Sequence, residues 1–251
     1  MKKRVILLFV FLFAASIFPF HVHAITYDFK PLIYPSTYRS TYAYGIDGDQ
    51  IVGQIGDQAG EHGFIYNINN STMTVLDHPQ ASNLSLVTSF YGIDGNKIVG
   101  RYVEPYVGYH GFQYDGSNWY SHDYPGAMNT MFHDIDGSNI VGVHEKTSVE
   151  GFLYNGSTWT NIRYPSANNT YVWGISGNNI VGHYEGMAQQ QSFIYDIDSN
   201  SYKNLCYPGA FATFARGIDG DNIVGYYSGG GTVHGFIYNV STATWQSIDY
   251  P

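Results

Sequence analysis

Cysteine is all but missing from this chain, with Cys206 alone among 251 residues. One thiol forms no internal disulfide, so covalent cross-links do not hold the fold together. Charged residues are also scarce, at 12% of the sequence, and they are unbalanced: 20 Asp and Glu stand against 11 Lys and Arg. A net charge of −9 argues against nucleic acid or an anionic membrane surface as a partner. Beyond the N-terminal stretch there is no 3.6-residue apolar period, which excludes amphipathic helices as the main element. The motifs of well-known catalytic centres are missing as well. The chain has no G-x-S-x-G elbow, no H-E-x-x-H and no phosphate-binding glycine loop. A Ser–His–Asp hydrolase therefore has no support, although such triads assemble from distant residues.

What is present begins with an export signal. Lys2, Lys3 and Arg4 precede an apolar run over residues 5–20, and Val22-His23-Ala24 offers a small-residue cleavage site. The run is short and leads into polar sequence, which reads as a signal peptide rather than a membrane span. Cleavage after Ala24 would leave one domain over residues 25–251, secreted or periplasmic, with a net charge of −12. No cysteine follows the cleavage site closely enough to carry a lipid anchor.

The rest of the chain is a repeat. The phrase Gly217-Ile218-Asp219-Gly220-Asp221-Asn222-Ile223-Val224-Gly225 has counterparts starting at Gly45, Gly92, Asp134 and Gly174, spaced by 47, 42, 40 and 43 residues. Each of the five copies contains four strand-like runs. The first ends in G-I-D-G, and its Asp-Gly pair turns the chain because glycine accepts positive φ. The second is the β-branched I-V-G run. The third places Phe and Tyr on one face, as in Gly63-Phe64-Ile65-Tyr66. The fourth usually opens on an aromatic (Trp119, Trp159, Tyr202, Trp245) and ends in Tyr-Pro, proline marking a strand end or edge.

Four short strands per unit of about 43 residues predict an all-β, five-bladed propeller, with a β-solenoid as the alternative architecture. Residues Tyr27 to Pro35 read as a sixth copy of the fourth run, and are expected to sit against the last blade and help close the ring.

The phrase G-I-D-G-x-x-I-V-G, followed by His-Gly-Phe and a Tyr-Pro strand, resembles the HAF-type extracellular repeat family, named for a His-Ala-Phe tripeptide. His62-Gly63-Phe64, His110-Gly111-Phe112 and His234-Gly235-Phe236 carry the tripeptide with Gly for Ala, while Glu150 and Gln191 replace the histidine in the other copies. The resemblance spans the whole chain after the signal. It implies an exported repeat protein and transfers no activity.

The three tripeptide histidines fall on third strands of separate blades, where they cannot converge on one ion, so they are expected to form turn or inter-blade hydrogen bonds. Asp219-Gly220-Asp221-Asn222 and its counterparts are too short for a calcium loop and read as hairpin turns. No metal or cofactor is therefore expected. Cys206 stands where other copies have Asp123, Arg163 and Asp249, which reads as drift at a tolerant position.

Comparison between copies is more informative. Thr41, Thr88, Thr130, Thr170 and Thr213 recur four residues before the phrase, suggesting a scaffold hydroxyl. Immediately before the phrase stand Tyr44, Tyr91, His133, Trp173 and Arg216. If the first strand is innermost, these five converge on the axis as an aromatic and cationic ring suited to stacking on sugars. The competing reading is that they plug a narrow channel. The favoured function is a monomeric, non-catalytic binding module for a glycan or other small ligand. One alternative is a glycosidase using Asp134, Glu145 and Glu185, which rests on fold analogy. The other is a structural surface or matrix protein.

Overall fold

Every copy of the repeat folds as four antiparallel strands joined in sequence order. The first unit comprises β1 (Ser40–Asp47), β2 (Gln50–Gly56), β3 (Gly60–Asn67) and β4 (Thr72–Leu76). The second comprises β5 (Leu86–Asp94), β6 (Lys97–Glu104), β7 (Gly108–Tyr114) and β8 (Trp119–His122). The third comprises β9 (Asn129–Asp136), β10 (Asn139–Glu145), β11 (Val149–Tyr154) and β12 (Trp159–Ile162). The fourth comprises β13 (Asn169–Ser176), β14 (Asn179–Glu185), β15 (Gln190–Asp196) and β16 (Ser201–Leu205). The fifth comprises β17 (Ala212–Asp219), β18 (Asn222–Gly229), β19 (Thr232–Asn239) and β20 (Thr244–Ile248). A short parallel pairing of β3 with β5 links the first two units. This computed structural model describes residue 32 and residues 38–81, 86–186 and 190–249. The signal segment and, apart from Leu32, the proposed closing strand Tyr27 to Pro35 lie outside the described residues.

The repeated phrase is the first hairpin of each unit, and each of its polar or small positions has a physical task. The loop opens on Gly48, Gly95, Gly137, Gly177 or Gly220, all at φ between 54° and 64°. Glycine at the first of two loop residues is the signature of a type II′ hairpin turn. The turn thus starts at the glycine, and the preceding Asp is the last residue of the strand. Its carboxylate reaches across to the next unit. Asp47, Asp94 and Asp136 accept the turn N–H of Gly95, Gly137 and Gly177 at 2.7, 2.8 and 2.6 Å. Ser176, which replaces the Asp in the fourth copy, accepts that of Gly220 at 3.0 Å and does the same work.

The closing glycine of the phrase answers to a different constraint. A Cβ on Gly100, Gly142 or Gly182 would lie 1.9–2.0 Å from a carbonyl oxygen of the facing strand and 2.9 Å from the third-strand Phe ring. Those rings, Phe112, Phe152 and Phe193, are fully buried and form the centre of each unit's core.

Between units the apolar contacts repeat. Val52 packs with Phe90 and Ile93, Val99 with Phe132 and Ile135, Val141 with Val172 and Ile175, and Val181 with Ala215 and Ile218. Burying one such side chain is worth about 1.5–3 kcal/mol. The recurrent threonines anchor the connections: Thr88, Thr130, Thr170 and Thr213 accept the N–H of His78, Tyr124, Tyr164 and Tyr207 at 2.9–3.0 Å. Each of those aromatics then stacks on a second-strand partner, Tyr102, His144, Tyr184 or Tyr227, at 3.6–3.7 Å between centroids.

Candidate functional site

All five first strands border one cavity of about 1210 Å³, and its wall includes Tyr44, Tyr91, His133, Trp173 and Arg216. Convergence of repeat-equivalent first strands on one space is the arrangement of blades about an axis, and stacked solenoid coils do not produce it.

The feature that aims these five residues is a β-bulge. In the first hairpin, pairing runs from Ala43↔Gly53 directly to Gly45↔Val52, leaving Tyr44 as the extra residue. The same break isolates Tyr91, His133, Trp173 and Arg216 in the other units. A bulged residue has no partner across the ladder, and its side chain is turned out of the regular alternation. The glycine of I-V-G lies beside this break, which links the invariant end of the phrase to the variable residue before it.

Around the wall these side chains form a continuous file. Tyr44 lies 4.9 Å from Tyr91, Tyr91 meets His133 edge-on at 5.5 Å, and His133 stacks on Trp173 at 4.2 Å. The Arg216 guanidinium covers the Trp173 ring at 4.1 Å and donates to the Tyr226 hydroxyl at 2.9 Å. His133 is buried, and its Nδ1–H donates to the Val172 carbonyl at 2.6 Å. Burial, with help from Arg101 and Arg216, pushes its pKa down to about 4, so the ring is neutral at neutral pH. Trp173 Nε1–H donates to Nδ1 of His183, itself pushed down to about 3 by burial and then by Arg216.

The three carboxylates named for hydrolysis make separate hydrogen bonds, although Glu145 and Glu185 both act on Tyr171 of the cavity wall. Asp134 is on the cavity wall, where burial raises its pKa to about 7. Its two oxygens accept the backbone N–H groups of Ile135 and Ile175, both at 2.9 Å, so the carboxyl links the third unit to the fourth. Glu145 and Glu185 instead accept the amides of Asn129 and Asn169, each at 2.7 Å. Those same asparagines accept the N–H of Tyr109 and Val149 in the preceding unit. The two glutamates are therefore parts of repeated inter-unit brackets.

The tripeptide histidines pair within their own units. His62, His110 and His234 bond Asp77, Asp123 and Asp249 through Nδ1 at 3.0, 2.7 and 2.9 Å. The third copy replaces this pair by Glu150 with Arg163 at 3.2 Å, and the fourth by Gln191 with Cys206. Cys206 thus faces Gln191 where the other copies place a hydrogen-bonded or ion-paired side chain. The signal was in the sequence: wherever the histidine is missing, the aspartate some fifteen residues later is missing too.

No family profile matches the chain, and no curated protein matches it. Among solved structures it is similar to TolB from Acinetobacter baumannii, with a TM-score of 0.60 and 12% identity over 81% of this chain. The chain spans about half of that TolB, covering 52% of its length. It is also similar to the β-propeller domain of the Trilobed protease from Pyrococcus furiosus, described as having an open velcro topology. There the TM-score is 0.56 and identity 13%, over 85% of this chain and 68% of that one. A mutant of the Aleuria aurantia lectin in complex with Fucα1-6GlcNAc gives 0.51 at 15% identity, over 85% of this chain and 79% of the lectin. At these identities the likeness is one of fold, and it makes this chain an all-β protein of the propeller type.

Proposed function

We propose that this protein is an exported five-bladed propeller that binds carbohydrate without turning it over, using the cavity between its first strands. One observation carries the reading: five bulged residues, different in chemistry but equivalent in the repeat, face a single cavity. Tyr44 and Tyr91 supply stacking faces and Arg216 hydrogen-bond donors of the kind that sugars use, while Trp173, held between His133 and Arg216, fixes the place of that guanidinium. The lectin with bound fucosyl disaccharide shows that a fold of this type accommodates such ligands in another protein. Export after Ala24 and kinship with HAF-type repeats belong to the same proposal, resting on the basic-apolar N-terminus and the repeated phrase.

A glycan panel screened for binding, with a hydrolysis assay on the same panel, tests it. Binding without turnover is the expected result. Turnover would favour the glycosidase reading, and silence on the whole panel a structural role. Trp173→Ala separates site from plug. As a site residue it should weaken binding at least tenfold with little change in unfolding. A purely packed tryptophan would instead cost about 3–5 kcal/mol of stability, and that outcome would remove the site.

A further inference from the structure

The same cavity holds two arginines that have no acidic partner among the described residues, in a chain where acids outnumber bases by 20 to 11. Arg163, by contrast, pairs with Glu150 at 3.2 Å. Arg101 lies over the Tyr109 ring at 4.4 Å and the Tyr91 ring at 5.7 Å. One of its terminal nitrogens donates to the Met131 thioether at 3.2 Å, a weak acceptor, and its buried Nε has no partner. Arg216 stacks on Trp173 and spends one nitrogen on the Tyr226 hydroxyl. Among the described residues neither guanidinium has a carboxylate within salt-bridge distance. Glu61 is near enough to raise the pKa of Tyr91, yet it makes no ion pair with Arg101. A partly buried cation left without a counter-ion is costly.

The two cations act on a common region, since both bear on His133 between them. The cavity is also polarised along its axis. In the second unit the register places Asp94 at the hairpin turn, Tyr91 at the bulge, and Arg101 opposite Ser89, beyond the bulge from the turn. At the turn end Asp47, Asp94, Asp136 and Asp219 border the same space. Carboxylates accept hydrogen bonds from sugar hydroxyls, whereas a guanidinium fork matches a planar anion.

We propose that the ligand is an acidic sugar, its carboxylate or sulfate held by Arg101 and Arg216, its ring against Tyr44 and Tyr91, and its hydroxyls toward the turn aspartates. This rests on the carbohydrate reading above and specifies the ligand class. The probes are trigalacturonate, its fully methyl-esterified form and a sulfated galactose disaccharide, titrated calorimetrically into the mature protein at two salt concentrations. The acid should bind at least tenfold tighter than its ester, and more weakly at higher salt. Binding by the sulfated sugar as well would show that anionic charge is read; binding by the acid alone would show that carboxylate shape is read.

Arg101→Gln and Arg216→Gln should each lose tenfold or more for the acid, and Arg216→Lys should lose less than Arg216→Gln. The wild-type comparison of acid with ester decides the question even if a variant fails to fold. Equal binding of acid and ester would overturn the acidic-sugar assignment and leave the carbohydrate reading standing. A preference for the acid that survives both Gln substitutions would overturn the placement at these arginines. Binding of none of these probes or of the wider glycan panel would overturn both readings.

Discussion

Four junctions between consecutive units repeat one set of contacts, whereas among the described residues the faces of the last unit and the first carry the same groups without those partners. Val52, Val99, Val141 and Val181 are completely buried against the unit that follows, but the equivalent Val224 is 45% exposed. Ile93, Ile135, Ile175 and Ile218 are buried, but Ile46 is 65% exposed. Asp47, Asp94 and Asp136 each hold the next turn, while Asp219 accepts no hydrogen bond among the described residues. At three of the four junctions the space for a Cβ at Gly63, Gly111 or Gly151 is taken by Phe90, Phe132 or Val172 of the next unit. At Gly235 only the unit's own Ile248 approaches. In such an array stability lies in nearest-neighbour interfaces, so identical residues differ in worth according to what stands beside them.

The comparison can be broken most sharply at the valines. Val181→Ala should cost about 2–3 kcal/mol through a lost contact and a cavity. Val224→Ala should stay within about 0.5 kcal/mol. Urea denaturation of the two variants measures the difference, and equal losses would mean that the end faces are covered in solution.

A turn next to the open face isolates local strain from neighbour contacts. Gly220 sits at φ 54°, with no heavy atom within 4 Å of a built Cβ. Gly220→Val should therefore cost about 1–3 kcal/mol by backbone strain alone. Asp221→Val, beside it, should cost much less. If the two shift the unfolding midpoint by the same small amount, the turn assignment is wrong.

The smallest effect concerns the turn carboxylates. Asp94→Ala removes the acceptor of the Gly137 N–H and should lower stability by about 1 kcal/mol. Asp219→Ala removes no such bond and should leave the melting temperature unchanged. A matching loss at Asp219 would show that its carboxylate is engaged, and with it the junction between last and first units.

Much of this was legible before any coordinates. Each G-I-D-G-x-x-I-V-G phrase reads as a hairpin because glycine, β-branched residues and spacing act within a few residues of one another. The five residues preceding the phrase were identifiable as a set from their shared position alone. The reason they point into the cavity was not. A bulge is a mismatch between two strands, and nothing in the first strand by itself reveals that Tyr44 or Trp173 is the unpaired residue. Asp134, Glu145 and Glu185 show what the sequence leaves out. As isolated acids they suggest catalysis, and their partners, the Ile175 amide, Asn129 and Asn169, show that they also tie units together.

By itself, then, the sequence determined the repeat, the four strands of each unit, the positions of the turns and the identity of the ring residues. All of these follow from local backbone preferences that recur wherever the phrase recurs. Tertiary structure alone decided that the ring residues share one cavity, that Arg101 joins them from a second strand with no acidic partner among the described residues, and that His62 belongs with Asp77. It also decided that Val224 and Ile46 stay exposed while their equivalents are buried. These outcomes depend on which residues are brought alongside by neighbouring strands and units, and burial, hydrogen bonding and charge pairing take their values from that environment.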